Sequence, residues 1–125
     1  MNVVDSSGWL ECFADGPNAK HYISPLKDTA SLIVPVITIY EVFKVVLRER
    51  GETEALQAAA AMQKATVSDL TTKIALLASK LSLKHSLPMA DSIILATAQL
   101  HNATIWTQDA DFKGMPGVEY FPRRK

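Results

Sequence analysis

The sequence has little that could stabilise a fold covalently and no excess of either charge. Its 125 residues include a single cysteine, Cys12, which excludes an internal disulfide and argues against a thiolate metal site. The 13 basic and 13 acidic residues balance, so overall attraction to a polyanion is excluded as the main means of binding nucleic acid. Polar residues interrupt the longest apolar stretches, and too few residues precede Asp5 for a signal peptide. We therefore expect a cytoplasmic protein without a membrane segment.

What the sequence does have is apolar volume and local basic patches. Apolar residues make up 48% of the chain, enough for one continuous core, and we predict a single domain over residues 1–125. Basic residues gather in two places: Lys44, Arg48 and Arg50, and again Arg123, Arg124 and Lys125. Each patch could hold phosphate or be ordinary solvated charge, and composition alone leaves both interpretations open.

Short apolar runs alternate with longer stretches of helical spacing, which is typical of an α/β fold built on a parallel sheet. The runs predict strands at 2–4, 31–34, 66–70, 104–107 and 118–121, and the intervening segments predict helices. Two local signals place helix starts: Ser6 or Ser7 can cap the first long helix, and Pro35 suits the first turn of another.

Four acidic residues stand where an acidic residue is locally out of character. Asp5 and Asp109 follow strands, Asp91 begins the most apolar helix, and Glu41 lies among apolar and aromatic neighbours. Each has an ordinary interpretation as a cap, a turn residue or a surface charge. Because ligand sites form at the carboxyl ends of parallel strands, we predict that these residues share one site.

Carboxylates gathered at one sheet edge would repel each other unless a cation compensates their charge. Mg²⁺ or Mn²⁺ fits an all-oxygen set of ligands. The three histidines, His21, His85 and His101, are widely spaced, so the sequence does not indicate a zinc site.

Four stretches carry a likeness to a known family: VVDSSGWLE at 3–11, IYEVFKV at 39–45, MADSIILATA at 89–98 and IWTQDADF at 105–112. With them the chain resembles PIN-domain nucleases, in particular the VapC-type toxins of toxin-antitoxin systems. The resemblance implies a three-layer fold with a central, mostly parallel sheet of four to five strands flanked by helices. It also implies that Asp5, Glu41, Asp91 and Asp109 are the catalytic and metal-binding carboxylates.

The resemblance assigns two accompanying residues as well. Thr107 corresponds to a hydroxyl residue beside Asp109, and Asp111 occupies a common acidic position that could take part of the role of Asp109. Ser6 stands where the family commonly has threonine.

The implied activity is hydrolysis of RNA phosphodiester bonds with Mg²⁺ or Mn²⁺ as cofactor. The implied partners are the RNA substrate and a cognate antitoxin, for which the helix pair at 35–64 offers a surface, and the implied assembly is a homodimer or a toxin-antitoxin hetero-oligomer. Two alternatives remain: a PIN-like module without activity that only binds a partner, and a receiver-like phosphotransfer domain. The second lacks a paired acidic motif, because Asp5 stands alone before Ser6 and Ser7.

Overall fold

A computed structural model describes residues 1–124 of the chain. It contains five short strands: β1 (Asn2–Val4), β2 (Ile33–Pro35), β3 (Thr66–Ser68), β4 (Thr104–Thr107) and β5 (Val118–Tyr120). It contains six α-helices: α1 (Ser6–Phe13), α2 (Ile23–Lys27), α3 (Val36–Arg50), α4 (Glu52–Met62), α5 (Thr72–His85) and α6 (Met89–Leu100). Short 3-10 helices lie at Ala19–His21, Thr29–Ser31 and Ala110–Phe112.

All strand pairings are parallel. β1 pairs with β4 in the register Asn2 to Thr104 and Val4 to Trp106, and β4 pairs with β5. β2 pairs with β3, and a parallel bridge between Asn2 and Leu32 connects that pair to β1. The strands therefore follow the order β3-β2-β1-β4-β5, which confirms the predicted α/β class with a parallel sheet.

Two apolar cores cover the two faces of the sheet. Consecutive strand residues point to opposite faces, so Val3 joins the core formed with α5 and α6, while Val4 joins the core formed with α1, α3 and α4. The same alternation separates Ile33 from Val34. The arrangement is helices, sheet and helices, as the three-layer prediction requires.

Several predicted boundaries were wrong. Asp5, not Ser6 or Ser7, caps α1, because its side-chain oxygen accepts from the backbone N–H of Gly8 at 3.1 Å. Pro35 does not lie in the first turn of α3: it is the last residue of β2, with φ −60° and ψ 134°, and the helix begins at Val36. The third strand ends at Ser68 rather than at residue 70.

Within residues 1–124, none of the helices combines the length and the apolar character needed to span a lipid bilayer.

Candidate metal centre

Asp5 lies at the carboxyl end of β1 and is almost completely buried, with 2% of its surface exposed. Its Oδ1 accepts from the Ser7 hydroxyl at 2.7 Å and from the Gly8 N–H at 3.1 Å, and its Oδ2 accepts from the Thr107 hydroxyl at 2.6 Å. Three donors from the protein therefore hold both oxygens of this carboxylate.

Burial raises the pKa of Asp5 from its usual 3.8 to about 6. The charge of Asp109 raises it further, whereas the hydrogen bonds from Thr107, Ser7 and Gly8 act in the opposite direction because they stabilise the ionised form. The free-energy cost of removing the carboxylate charge from water thus exceeds the stabilisation that the three hydrogen bonds give to that charge.

Thr107, the last residue of β4, joins two of the predicted site residues. Because Val4 and Trp106 are paired in the register of β1 and β4, the residues that follow them, Asp5 and Thr107, lie beside each other. The Thr107 hydroxyl donates to Asp5 and accepts from the backbone N–H of Asp109 at 2.8 Å. This one hydroxyl therefore sets the position of Asp109 relative to Asp5.

Asp91, Asp109 and Asp111 form a tight carboxylate group, with one oxygen of each lying within 4.8 Å of the others. Asp91 comes from the first turn of α6, and Asp109 caps the 3-10 helix that contains Asp111. The Asp109 Oδ1 accepts from the Asp111 N–H at 2.9 Å, which fixes the turn carrying both side chains. The group unites two predicted site residues, Asp91 and Asp109, with Asp111.

The pKa of Asp91 is raised further than that of Asp5, to about 8. Burial is the largest cause, followed by the adjoining carboxyl of Asp111 and then by the charges of Asp109, Asp111 and Asp5. Asp91 lies in the first turn of a helix, where the helix dipole favours a negative charge. Burial and the neighbouring carboxylates act against that preference, because both favour the neutral form of Asp91.

Glu41, on α3, lies outside the three-carboxylate group and contacts α1 instead. Its Oε1 accepts from the Ser6 hydroxyl at 2.5 Å, and Ser6 directly follows Asp5. The half-buried Glu41 side chain is thereby held at the N-terminus of α1. The serine that stands in place of the family's usual threonine supplies a hydroxyl donor here.

The residues present fit a hard divalent cation. The ligand set consists entirely of carboxylate oxygens. Of the residues that the structure describes, the lysines and arginines within 4 Å of a carboxylate are Arg48 and Arg50, which pair with Glu49 and Glu54. The negative charge of the group is therefore not compensated by a basic side chain within residues 1–124.

Other predicted features have a definite place in the structure. Lys44, Arg48 and Arg50 are exposed on α3, whereas Lys125 lies outside the described residues. Cys12 is half-buried, and burial raises the pKa of its thiol to about 11, so the reactive thiolate form is scarce near neutral pH. His21 stacks on Phe121 with ring centroids 4.5 Å apart, a packing role.

Sequence reasoning did not identify the polar side chains around Asp5. Glu11, Asn18 and Gln108 are linked to each other and to Ser7 by hydrogen bonds. The one available signal was the position of Gln108 directly after the β4 strand, between Thr107 and Asp109.

Solved structures with the same fold include a toxin and chains of toxin-antitoxin complexes. A chain of a toxin-antitoxin complex from Klebsiella pneumoniae superposes with a TM-score of 0.82 at 25% identity, covering 98% of this chain and 100% of that chain. VapC20 from Mycobacterium tuberculosis, a toxin that cleaves the sarcin-ricin loop, gives 0.81 at 20% identity, with 98% and 100% covered. A chain of a DNA-bound VapBC complex from Salmonella typhimurium gives 0.75 at 14%, with 98% of each chain covered. At these lower identities the likeness shows the fold alone.

Among curated proteins, none matches this sequence. The PIN domain family model matches residues 3–118, a span that includes Asp5, Glu41, Asp91, Asp109 and Asp111. The match gives no support to the receiver-like alternative. The chain belongs to the PIN domain family.

Proposed function

We propose that this protein is a divalent-metal-dependent endoribonuclease whose metal-site carboxylates are Asp5, Glu41, Asp91 and Asp109, with Asp111 sharing the role of Asp109. The observation that carries the proposal is the gathering of Asp91, Asp109 and Asp111 within 4.8 Å, beside a buried Asp5 and without a basic partner in residues 1–124. Carboxylates this close repel one another, and that repulsion is costly unless a cation is part of the working site.

Mg²⁺ or Mn²⁺, when bound, would polarise the scissile phosphate and supply a water of lowered pKa. Asp5, Asp91, Asp109 and Asp111 would provide its oxygen ligands. The hydrogen bonds of Asp5 fix its orientation relative to Asp109 through Thr107. Glu41, fixed by Ser6, adds negative charge from the α3 side.

The RNA backbone needs basic groups near this acidic site. Lys44, Arg48 and Arg50 lie on α3, the helix that carries Glu41. Arg48 and Arg50 are more than 40% exposed and pair with acidic neighbours at 3.5 and 3.6 Å. Exposed ion pairs of this kind contribute little to stability, so an RNA phosphate can replace the carboxylate of Glu49 or Glu54 at small cost.

We further propose that the protein is the toxin of a toxin-antitoxin pair. A groove of about 660 Å³ lies between α1, α3 and α4, and its lining includes three carboxylates, two guanidinium groups and apolar side chains, among them Glu11, Glu49, Glu54, Arg50 and Arg123. Such a lining suits an antitoxin segment that carries charged and apolar residues. The fold it shares with the chain in the Klebsiella complex supports this assignment.

The test of the activity is cleavage of total RNA by the purified protein, with Mg²⁺ or Mn²⁺ and with EDTA. Wild type is compared with Asp91→Asn and with Asp69→Asn, which removes an exposed carboxylate from outside the site. We expect metal-dependent cleavage by wild type and Asp69→Asn and its loss in Asp91→Asn. Cleavage that persists in EDTA would contradict the metal site. A folded, antitoxin-free wild type that cleaves no RNA would favour a binding module instead.

Metal binding can be measured separately by thermal unfolding. At a metal concentration 100 times Kd, binding stabilises the fold by about 2.7 kcal/mol, which raises Tm by roughly 10 °C for a domain of this size. Asp91→Asn should lose this shift while Asp69→Asn keeps it. Equal shifts in both variants would place the ion elsewhere.

The antitoxin groove is tested by an alanine scan of residues of α3 and α4 that line it, namely Val45, Glu49 and Gln57. We expect weaker binding of the cognate antitoxin in calorimetry. Unchanged affinity in every variant would remove this helix pair from the interface.

A further inference from the structure

Two buried side-chain amides lie next to the metal centre without belonging to it. Asn18 is 1% exposed and Gln108 is 4% exposed. Buried hydroxyl groups elsewhere in the fold donate to a backbone carbonyl three or four residues earlier in their own segment. This is the case for Thr38, Ser92 and Thr97. Asn18 and Gln108 instead bond each other across 90 residues of sequence. A local explanation therefore does not account for these two amides.

Both ends of the Gln108 side-chain amide have hydrogen-bond partners. Its Oε1 accepts from the Asn18 Nδ2 at 3.0 Å, and its Nε2 donates to the Glu11 carboxylate at 3.4 Å and, at 3.5 Å, to the Ser7 carbonyl. The backbone N–H of Asn18 also donates to Glu11, at 2.7 Å. The Asn18 Nδ2 donates further to the carbonyl of Pro122 at 2.9 Å, which includes the segment after β5 in the network.

Glycine at position 16 makes room for the acidic member of this network. A Cβ at Gly16 would lie 2.4 Å from the Glu11 carboxylate, so a larger residue there would displace Glu11 from its two donors.

The network reaches Asp5 through Ser7. The backbone N–H of Gln108 donates to the Ser7 hydroxyl oxygen at 3.3 Å, and that hydroxyl donates its single proton to Asp5 Oδ1 at 2.7 Å. The side-chain amide of Gln108, held by Asn18 and Glu11, fixes the position of this backbone N–H. Because the N–H occupies a lone pair of the Ser7 oxygen, the hydroxyl proton is directed toward Asp5. The orientation of Asp5 is thus fixed from the α1 side by Ser7 and from the β4 side by Thr107.

We propose that Gln108, held by Glu11 and Asn18, is a positioning residue that orients Asp5 through Ser7 and so sets the affinity of the centre for its divalent cation. The inference rests on the proposed metal-dependent nuclease function. Gln108 contacts neither the ion nor RNA in this role. Loss of such an outer partner lowers metal affinity or activity by about 10- to 100-fold in other metal sites.

The experiment measures Mn²⁺ affinity by calorimetry, and kcat and KM with RNA, for wild type and Gln108→Met. Methionine keeps the length of the side chain and the backbone N–H to Ser7, and it removes the side-chain amide that holds this N–H in place. Two controls accompany it. Gln63→Met makes the same change at an exposed position, and Thr97→Val removes a buried hydrogen bond from α6 without touching the network. All measurements are made well below the lowest Tm of the set.

We expect Gln108→Met to weaken Mn²⁺ binding about 10-fold or more and to lower kcat, with KM for RNA nearly unchanged. Both controls should bind Mn²⁺ like wild type, Thr97→Val despite its lower stability. Asn18→Ala, which removes a partner and leaves Gln108 in place, should show a smaller loss in the same direction, and it serves if Gln108→Met does not fold.

A double-mutant cycle with Ser7→Ala tests the route. If Gln108 acts through Ser7, the losses in Mn²⁺ affinity will be clearly less than additive. Wild-type affinity in the folded Gln108→Met and Asn18→Ala variants, an equal loss in Thr97→Val, or full additivity with Ser7→Ala would overturn the inference and leave the nuclease function intact. A wild type that neither binds Mn²⁺ nor cleaves RNA would overturn the function itself, and the inference would fall with it.

Discussion

The carboxylates on the two sides of the acidic site lie in different surroundings. On one side, Asp5 is buried and receives three hydrogen bonds from Ser7, Gly8 and Thr107. On the other side, Asp91 lies against Asp109 and Asp111 and, within residues 1–124, receives no such donor. Both pKa values are raised, that of Asp5 by burial against its donors, and that of Asp91 by burial together with its acidic neighbours.

This difference gives the two sides different parts in the proposed site. Three hydrogen bonds hold Asp5 in one orientation and leave a lone pair on Oδ2, so Asp5 would be a ligand that the protein orients in advance. The oxygens of Asp91, Asp109 and Asp111 repel one another, and a cation would relieve that repulsion. A bound ion would therefore remove more repulsion on the Asp91 side than on the Asp5 side.

The strongest way to break the comparison is to neutralise each side in turn. Asp5→Asn and Asp91→Asn should each lower RNA cleavage by about 100-fold, the size seen when one electrostatic contact at a reacting centre is removed. Their metal-free stabilities should change by different amounts. Asp91→Asn removes repulsion and should raise the urea midpoint in EDTA, whereas Asp5→Asn removes a buried charge but also an acceptor for the Thr107 hydroxyl, so its midpoint should rise less. An equal rise in both variants would contradict the distinction.

The pH dependence of metal-free stability sharpens the same point. A carboxyl with a raised pKa stabilises the fold fully below its unfolded value, 3.8, and that contribution is lost as pH rises through about 6 for Asp5 and about 8 for Asp91. For Asp5 the shift corresponds to about 3 kcal/mol. In EDTA, the urea midpoint should fall between pH 4 and pH 9, and Mn²⁺ should reduce the fall.

The control for this pH dependence is the same measurement on Asp5→Asn and Asp91→Asn. Each variant should flatten its own part of the curve, near pH 6 and near pH 8 respectively. A curve as steep as that of wild type in both variants would assign the dependence to other groups.

Removal of the hydroxyl that joins the two sides should have the next largest effect. Thr107→Val leaves Asp5 Oδ2 and the N–H of Asp109 without their partner, at a cost of about 2 kcal/mol in the free energy of unfolding. Thr66→Val makes the same change at an exposed strand position and serves as the control in urea unfolding. If the two variants lose the same stability, Thr107 does not connect the sides as described.

The smallest effect concerns the two acidic residues of the turn after β4. Asp111 is exposed, while Asp109 is half-buried and linked to Thr107. Asp111→Asn should therefore reduce kcat/KM less than tenfold, that is, by less than about 1.4 kcal/mol. Asp109→Asn should reduce it more. Equal losses in a Mn²⁺ titration of activity would make the two residues equivalent ligands.

Some of this site could be predicted from sequence because acidic residues next to apolar runs are unusual. Asp5 and Asp91 were singled out on that basis. The resemblance favoured Asp109 over Asp111, but local sequence could not decide how the two share the role, because both lie in the same turn and only the fold brings Asp111 within reach of Asp91. Gln108 and Asn18 were missed because an uncharged amide adds no periodic signal and its partner lies 90 residues away.

The fold, like the site, could be predicted from sequence only in part. The alternation of apolar runs predicted the strands and their layering, but not where β2 ends. Proline has a φ near −65°, which suits both an extended strand end and the first helical turn, so Pro35 alone could not separate the two. Pairing with Ser68 decides the matter, and pairing is not visible in a local sequence window.

The pairing of β1 with β4 also makes the site depend on both ends of the chain. Asp5 meets Thr107 across 102 residues of sequence, so the contact that completes this corner is among the most distant the chain makes. Contacts of high sequence separation carry a loop-closure cost. A chain in which β1 and β4 are not paired holds Asp5 apart from Asp109 and lacks the assembled acidic site. The acidic site therefore exists only where the first and the fourth strand have come together.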